Sequence, residues 1–245
     1  ARGAAVARWS TLVLSTMVLT YISAGAVMTD TFLVFGTTLS LVSVWFVLSG
    51  RSDYWRWWFF MGLAIGLLSK GPLAVVLTVI PLVLWAAIFR QRLQPLKKLP
   101  WLLGSLLTLA IAVPWYVLAE LKTPGFLNYF IIGEHFSRFL DPGWAGDLYG
   151  SAHDRPKGMI WIFWLWASFP WGIIGLVGFG LAAARGKTKD IFTGAVQDAS
   201  TLYLLFCAIT PMLFFTLAGN TLWTYILPSL PFSAILIAEN GISPM

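Results

Sequence analysis

Apolar stretches of about the length that crosses a lipid bilayer recur along nearly the whole chain. A transmembrane helix needs about 20 apolar residues, because the hydrocarbon core is roughly 30 Å thick. On this criterion the pattern predicts about eight transmembrane helices, at residues 9–28, 31–49, 55–69, 71–89, 99–120, 158–183, 200–218 and 221–239. The stretch at 55–69 is short for a full crossing. Residues 1–245 are therefore predicted to form a single all-α integral membrane domain.

The longest polar connection, residues 121–157, lies between the predicted spans at 99–120 and 158–183. It is too long for a hairpin, and turn residues such as Pro124 and Gly125 interrupt it. Within it, residues 126–140 place apolar side chains at helical spacing, with Glu134 and Arg138 four positions apart. We predict a helix that lies in the outer membrane interface with its apolar face toward the lipid.

Composition and charge support the membrane assignment. Hydrophobic residues make up 58% of the chain and charged residues 11%, whereas an ordinary soluble domain has about 25% charged residues. The single cysteine, Cys207, implies no disulfide framework. A cytoplasmic N-terminus places most of the 16 Lys and Arg residues inside, in the N-terminal segment and in the loops at 50–55, 90–98 and 184–199. This topology explains the net charge of +6 without a nucleic-acid partner, and it makes 121–157 an external loop.

Several short motifs follow one another in a recognisable order. They are Asp30 after Val27-Met28-Thr29, Ser69-Lys70-Gly71-Pro72, Val113-Pro114-Trp115, Gly133-Glu134-His135-Phe136-Ser137-Arg138-Phe139, Pro211-Met212-Leu213-Phe214-Phe215 and Thr224-Tyr225-Ile226-Leu227-Pro228. In this order the chain resembles the membrane core of bacterial polyprenyl-phosphate-sugar glycosyltransferases with the GT-C fold. That family is related to the protein O-mannosyltransferases and to the lipid A aminoarabinose transferase.

The resemblance implies an enzyme of the bacterial inner membrane with an external active face. It would transfer a sugar, with inversion, from a polyprenyl phosphate to a glycan, lipid or protein acceptor. The implied residues are Asp30 as catalytic carboxylate, Lys70, Arg138 and Tyr225 as ligands of the donor phosphate, and Glu134 and His135 as supporting groups. Members of the family also carry an N-terminal outer loop with an Asp-Glu pair. Nothing like it precedes Ala1, so we expect a fragment that lacks the main catalytic carboxylate.

One segment departs from the family pattern. Relatives often have a Lys-Gly-Lys type of turn before Thr-Tyr, whereas this chain has Ala218-Gly219-Asn220-Thr221-Leu222-Trp223. The basic residues that would bind phosphate at this turn are absent from the sequence.

Each candidate residue also has a structural interpretation. Asp30 suits the N-terminus of a helix, Lys70 suits a side chain that extends to the interface, and Tyr225 suits the aromatic belt. Arg138 suits a simple ion pair with Glu134.

His135 is also a candidate metal ligand. Glu134, His153 and Asp154 are nearby candidates to complete a divalent metal site. Adjacent residues on a helix point about 100° apart, which disfavours Glu134 and His135 as ligands of one ion. A metal is therefore optional in this interpretation.

Two other classes of protein compete with the enzyme. A lipid or anion transporter or flippase would also contain helices interrupted by Pro or Gly, as at Gly71 and Pro114. A non-catalytic membrane scaffold is the second alternative. Against the transporter, the ionisable residues gather on one face and the sequence has no internal repeat.

Overall fold

The computed structural model describes residues 2–51, 53–141, 144, 146 and 155–239. Helices dominate this part of the chain. The α-helices are α1 Ala4–Thr16, α2 Val18–Gly25, α3 Thr29–Leu48, α4 Trp55–Lys70, α5 Leu73–Ile88, α6 Trp101–Lys122, α7 Arg138–Leu140, α8 Met159–Ala167, α9 Trp171–Ala184, α10 Thr188–Gln197, α11 Ala199–Thr216 and α12 Leu230–Ile237. Short 3-10 helices occupy Arg90–Arg92, Gln94–Lys98 and Trp223–Ser229, and a π-helix occupies Asn128–Ser137.

Among the described residues, three helices are individually long and apolar enough to cross a bilayer, namely α3, α6 and α11. Three further pairs reach that length only when two segments joined at a bend are taken together. These pairs are α1 with α2, α5 with the 3-10 segments up to Lys98, and α8 with α9. The helical membrane class is confirmed, but the predicted number of about eight spans is not. In particular, α4 has 16 residues, and its length of about 24 Å falls short of the hydrocarbon thickness.

Two predicted continuous spans are broken. The span predicted at 158–183 bends by 107° between α8 and α9, and the span predicted at 9–28 bends by 66° between α1 and α2. Pro170 explains the first break, because proline has no N–H and disfavours helical geometry in the residue before it. At the second break, Met17 adopts an extended conformation, and the N–H of Val18 donates to the carbonyl of Phe169 at 3.1 Å. This hydrogen bond therefore satisfies one backbone group at each of the two breaks.

Helices α3 and α4 pack closely against each other through small residues. A Cβ added to Gly36 would lie 2.6 Å from the carbonyl oxygen of Gly62, and one added to Gly62 would lie 2.4 Å from Oγ of Ser40. The Ser40 hydroxyl also donates to the carbonyl of Phe59 at 2.9 Å. Small residues spaced four apart allow helix backbones to approach in this way in membranes. This packing fixes the start of α3 beside the end of α4.

The two ends of the bundle carry separate groups of charged residues. At the end away from Asp30, the Arg2 guanidinium forms ion pairs with Glu239 and with Asp198, the latter at 3.4 Å. The same guanidinium donates to the hydroxyls of Ser200 and Thr201. Asp198 caps α11 by accepting from the backbone N–H groups of Ser200 and Thr201. Burial raises the pKa of Asp198, but hydrogen bonds from Thr201 and Ser200 outweigh it and lower the pKa to about 2. The contacts hold the N-terminal segment, α11 and the end of α12 together.

Candidate functional site

The segment predicted as an outer helix is helical throughout residues 126–140. Its central part, Asn128–Ser137, is a π-helix that continues directly into α7. The side chain of Glu120, near the end of α6, accepts from the backbone N–H groups of Gly125 at 2.9 Å and Leu127 at 2.8 Å. These bonds satisfy donors at the N-terminus of the new helix. The prediction of a helix is confirmed, whereas the π register is not visible in the sequence pattern.

Arg138 and Glu134 form an ion pair on this helix. Nη1 of Arg138 donates to Oε2 of Glu134 at 2.8 Å, and the two side chains are 15% and 17% exposed. The hydroxyl of Tyr129 donates to the other carboxylate oxygen of Glu134. Both oxygens of Glu134 are thus engaged, and the carboxylate holds the guanidinium in one position.

A second ion pair joins the start of α3 to the end of α4. Nζ of Lys70 lies 3.2 Å from Oδ2 of Asp30, and the two side chains are 30% and 13% exposed. Asp30 lies in the first turn of α3, where a carboxylate also complements the helix dipole. Lys70 is the last residue of α4, and Gly71 with Pro72 forms the tight corner to α5. The positive φ of 56° at Gly71 suits glycine alone among common residues.

His135 connects the outer helix to this corner. Its Nδ1 lies 2.6 Å from the carbonyl oxygen of Phe130, and its Nε2 lies 2.8 Å from the carbonyl oxygen of Lys70. Both neighbours are acceptors only, so both contacts are hydrogen bonds when both ring nitrogens carry hydrogen. Through this ring, the helix with the Arg138–Glu134 pair contacts the residue that forms the other pair. Four charged side chains from three helical segments are thereby gathered at one end of the bundle.

The metal interpretation of His135 does not fit this geometry. Each ring nitrogen already faces a backbone carbonyl, and both oxygens of Glu134 are engaged by Tyr129 and Arg138. Within the described ranges, no group of three or more His, Cys, Asp or Glu residues is arranged to hold a metal ion. The other proposed ligands, His153 and Asp154, lie outside the described residues. We therefore derive no chemical step that uses a metal.

Tyr225 lies near the same end of the bundle, in the 3-10 helix Trp223–Ser229, which packs against α3 and α11. Its ring lies 4.5 Å, between centroids, from the ring of Phe215. The preceding turn contacts the outer helix, because the N–H of Gly219 donates to the carbonyl of Phe139 at 2.7 Å. A role for Tyr225 in phosphate binding stays a prediction from the sequence.

Two contributors to the site were missed by the sequence analysis. Tyr129 lies five positions before Glu134, a spacing that a search for α-helical pairs at three or four positions does not include. Gly133 directly precedes Glu134, and a Cβ there would lie 2.4 Å from the ring of Trp144. Trp144 also stacks on Tyr129, with ring centroids 5.8 Å apart. The ring of Trp144 is therefore packed against the face that carries Glu134.

Structural comparison assigns the class of the protein. The crystal structure of ArnT from Cupriavidus metallidurans bound to undecaprenyl phosphate superposes with a TM-score of 0.77. The match has 21% sequence identity and covers 96% of this chain and 40% of that one. The chain therefore has the helical multi-pass membrane fold of the GT-C type that the motifs predicted.

Sequence comparison gives the family. The family profile described as dolichyl-phosphate-mannose-protein mannosyltransferase matches residues 2–130, more than half of the chain, and the chain belongs to this family. Two similar proteins are the undecaprenyl phosphate-alpha-4-amino-4-deoxy-L-arabinose arabinosyl transferases of Erwinia tasmaniensis and Aeromonas hydrophila. The first is 32% identical over 190 residues, which cover 76% of this chain and 31% of the relative. The second is 30% identical over 184 residues, which cover 75% of this chain and 30% of the relative. The chain thus spans about a third of the length of these relatives.

Proposed function

We propose that the protein is a membrane glycosyltransferase that moves a sugar from a polyprenyl-phosphate donor to a glycan, lipid or protein acceptor. Family membership and the names of the relatives support this reaction class. The observation that carries the proposal for this chain is the pairing of two cations with two carboxylates at one end of the bundle. A lipid phosphate that arrives in the outer leaflet would meet Lys70 and Arg138 there.

The proposed reaction is a displacement at the anomeric carbon of the donor sugar. An acceptor oxygen forms a bond to that carbon, and the bond from the carbon to the phosphate oxygen breaks with inversion. The bonding electrons leave with the phosphate, and the acceptor proton passes to a carboxylate base. In this chain Asp30 is the candidate carboxylate. No metal is needed to balance the step.

The two cations have the stronger structural support. A departing phosphate gains negative charge, and fixed positive groups stabilise that charge when they are already oriented. Glu134 orients Arg138, and Asp30 orients Lys70. A guanidinium binds phosphate through two parallel N–H groups, whereas an ammonium acts as a point charge. We therefore assign Arg138 to directional binding of the phosphate and Lys70 to charge neutralisation, with Tyr225 as a further hydroxyl donor.

The location follows from the same topology. We propose that the protein lies in the bacterial inner membrane and that the end with Asp30 faces the periplasm. Asp30, Lys70, Glu134 and Arg138, which are among the charged residues predicted to be outside, lie at one end, and Arg2, Asp198 and Glu239 meet elsewhere. This separation agrees with the topology predicted from the basic residues.

The decisive experiment measures binding and turnover by the full-length protein in detergent. Undecaprenyl phosphate is the probe and undecaprenol, which lacks the charge, is its control. We expect Arg138→Lys and Lys70→Met to weaken binding of the phosphate by about tenfold to a hundredfold, as loss of a charge-assisted contact predicts. Binding of undecaprenol should not change. Asp30→Asn, which keeps the shape and removes the charge, should lose most of the turnover.

Two results would contradict the proposal. Equal binding of undecaprenyl phosphate and undecaprenol by the wild-type protein would show that the protein has no site specific for the phosphate. Wild-type affinity in both cation variants would show that the two ion pairs serve only to join the helices.

A further inference from the structure

The two ion pairs belong to different parts of the chain, and the side chain of His135 connects them. Asp30 and Lys70 lie on α3 and α4, whereas Glu134 and Arg138 lie on the outer helix. His135 follows Glu134 directly and reaches the carbonyl oxygen of Lys70 at 2.8 Å. That carbonyl belongs to the last residue of α4, where the helix supplies no N–H partner. The ring therefore satisfies a group that the helix itself leaves open.

The corner beside Lys70 has room for this ring only because residue 71 is glycine. A Cβ added there would lie 3.1 Å from Cε1 and 3.2 Å from Nε2 of His135. It would also lie 2.8 Å from Cε1 of Phe130, whose ring packs edge-on against the imidazole. The corner and the ring thus fit together closely enough to fix the position of the outer helix.

We propose that His135 is a positioning residue that fastens the outer helix to the end of α4 and so sets the distance between Lys70 and Arg138. The proposal rests on the function proposed above, in which both cations bind one phosphate. Without this contact, each ion pair would persist, but the two cations would no longer be held to face one ligand. Catalysis depends on such placement, because small displacements of charged groups weaken their interaction with the reacting atoms.

The two polar contacts of His135 have separable roles. The contact of Nδ1 with the Phe130 carbonyl lies within the outer helix, whereas the contact of Nε2 with the Lys70 carbonyl joins the helix to α4. The carboxamide nitrogen of glutamine extends about as far as Nε2, and that of asparagine about as far as Nδ1; each is a donor. His135→Gln therefore keeps a donor for the Lys70 carbonyl, and His135→Asn keeps one only for the Phe130 carbonyl.

The experiment compares these two variants and His135→Ala in the full-length protein. We expect His135→Asn and His135→Ala to raise the KM for the lipid-linked donor by about tenfold, with a smaller change in kcat. His135→Gln should recover most of the wild-type KM. A role in packing alone predicts the same KM for Gln and Asn, since both remove the ring, and that outcome would overturn the proposal.

A second pair of variants tests the same contact without altering the histidine. Gly71→Ala places a methyl group against the ring, and Gly125→Ala is its control, because Gly125 also has positive φ, at 89°, with no atom within 4 Å of the added Cβ. Both carry the backbone strain of a positive φ. We expect the KM for the donor to rise in Gly71→Ala and not in Gly125→Ala.

The outcomes separate the two proposals. Wild-type protein that binds undecaprenol as well as undecaprenyl phosphate contradicts the proposed function. Wild-type protein that prefers the phosphate, together with equal KM values for the Gln and Asn variants or for the two glycine variants, contradicts only the role of His135.

Discussion

The ammonium group of Lys70 lies 3.2 Å from the carboxylate of Asp30, so one ion pair joins the end of α4 to the start of α3. The two helices approach through Gly36 and Gly62, which places their ends side by side. The pair is mostly shielded from solvent, and a mostly buried charge that loses its partner is costly. The contact is therefore expected to contribute to stability as well as to the proposed phosphate site.

A double-mutant cycle measures this contribution. Asp30→Asn and Lys70→Met should each lower the free energy of unfolding by about 1–3 kcal/mol, because each leaves one buried charge unpaired. The double variant should cost less than the sum, since it leaves neither charge. Unfolding in mixed micelles of increasing denaturing detergent provides the measurement. Strict additivity of the two changes would show that the side chains do not interact in the folded protein.

The grouping of the candidate residues was easier to predict than the breaks in the helices. Motif order assigned Asp30, Lys70, Glu134, His135 and Arg138 to one outer face, and the structure places these five at one end of the bundle. Their roles stay a prediction. The ion pair between Glu134 and Arg138 follows directly from their spacing. The Asp30–Lys70 pair could not be derived from spacing, because it depends on how α3 packs on α4.

Hydropathy alone did not predict the breaks in the helices. The stretches that contain Met17 and Pro170 are apolar on average, so a sliding average shows continuous spans. Pro170 signals a break on its own, but the extended backbone at Met17 depends on the bond between Val18 and Phe169, which joins distant parts of the chain. The π-helix around His135 likewise has no periodic signal in so short a segment.

Topology can be tested by cysteine labelling in a Cys207→Ser background. Thr123 and Thr188 are both exposed, and they lie on opposite sides of the membrane in the predicted topology. A membrane-impermeant reagent added outside intact cells should modify Thr123→Cys and leave Thr188→Cys unmodified until the cells are opened. The reverse pattern would place the proposed site in the cytoplasm and exclude a periplasmic reaction.

The glycine contact between α3 and α4 predicts that two Gly→Ala substitutions, one inside the contact and one outside it, change stability in different directions. Gly36→Ala should destabilise the protein by about 1–3 kcal/mol, because the new methyl group meets the backbone of α4 and the helices must separate. Gly178→Ala in α9 is the matched control, since its Cβ meets nothing within 4 Å. Alanine is favoured over glycine inside a helix by about 0.5–1 kcal/mol, so this variant should be neutral or slightly stabilising. Equal stability of the two variants in the same micelle assay would contradict the close packing.

The cap of α11 predicts a dependence of stability on pH. The pKa of Asp198 is about 2 in the folded protein, below the value of about 3.9 for an unfolded aspartate. The charged carboxylate therefore favours the folded state above about pH 4, and this contribution is lost as the pH falls through about 2. Asp198→Asn retains a capping side chain without the charge, whereas Asp198→Ala loses the cap at a cost of about 1 kcal/mol.

Thermal unfolding of the wild type and both variants, measured between about pH 7 and pH 2, separates the charge from the cap. The wild type should exceed Asp198→Asn in Tm near neutrality, because Arg2 lies 3.4 Å from the carboxylate and the backbone N–H groups donate to it. The difference should shrink as the pH falls below about 4 and be mostly lost at the folded pKa of about 2. The Asp198→Ala variant should stay below the Asn variant throughout. Parallel curves for the wild type and the Asn variant would show that the charge of Asp198 adds nothing to the cap.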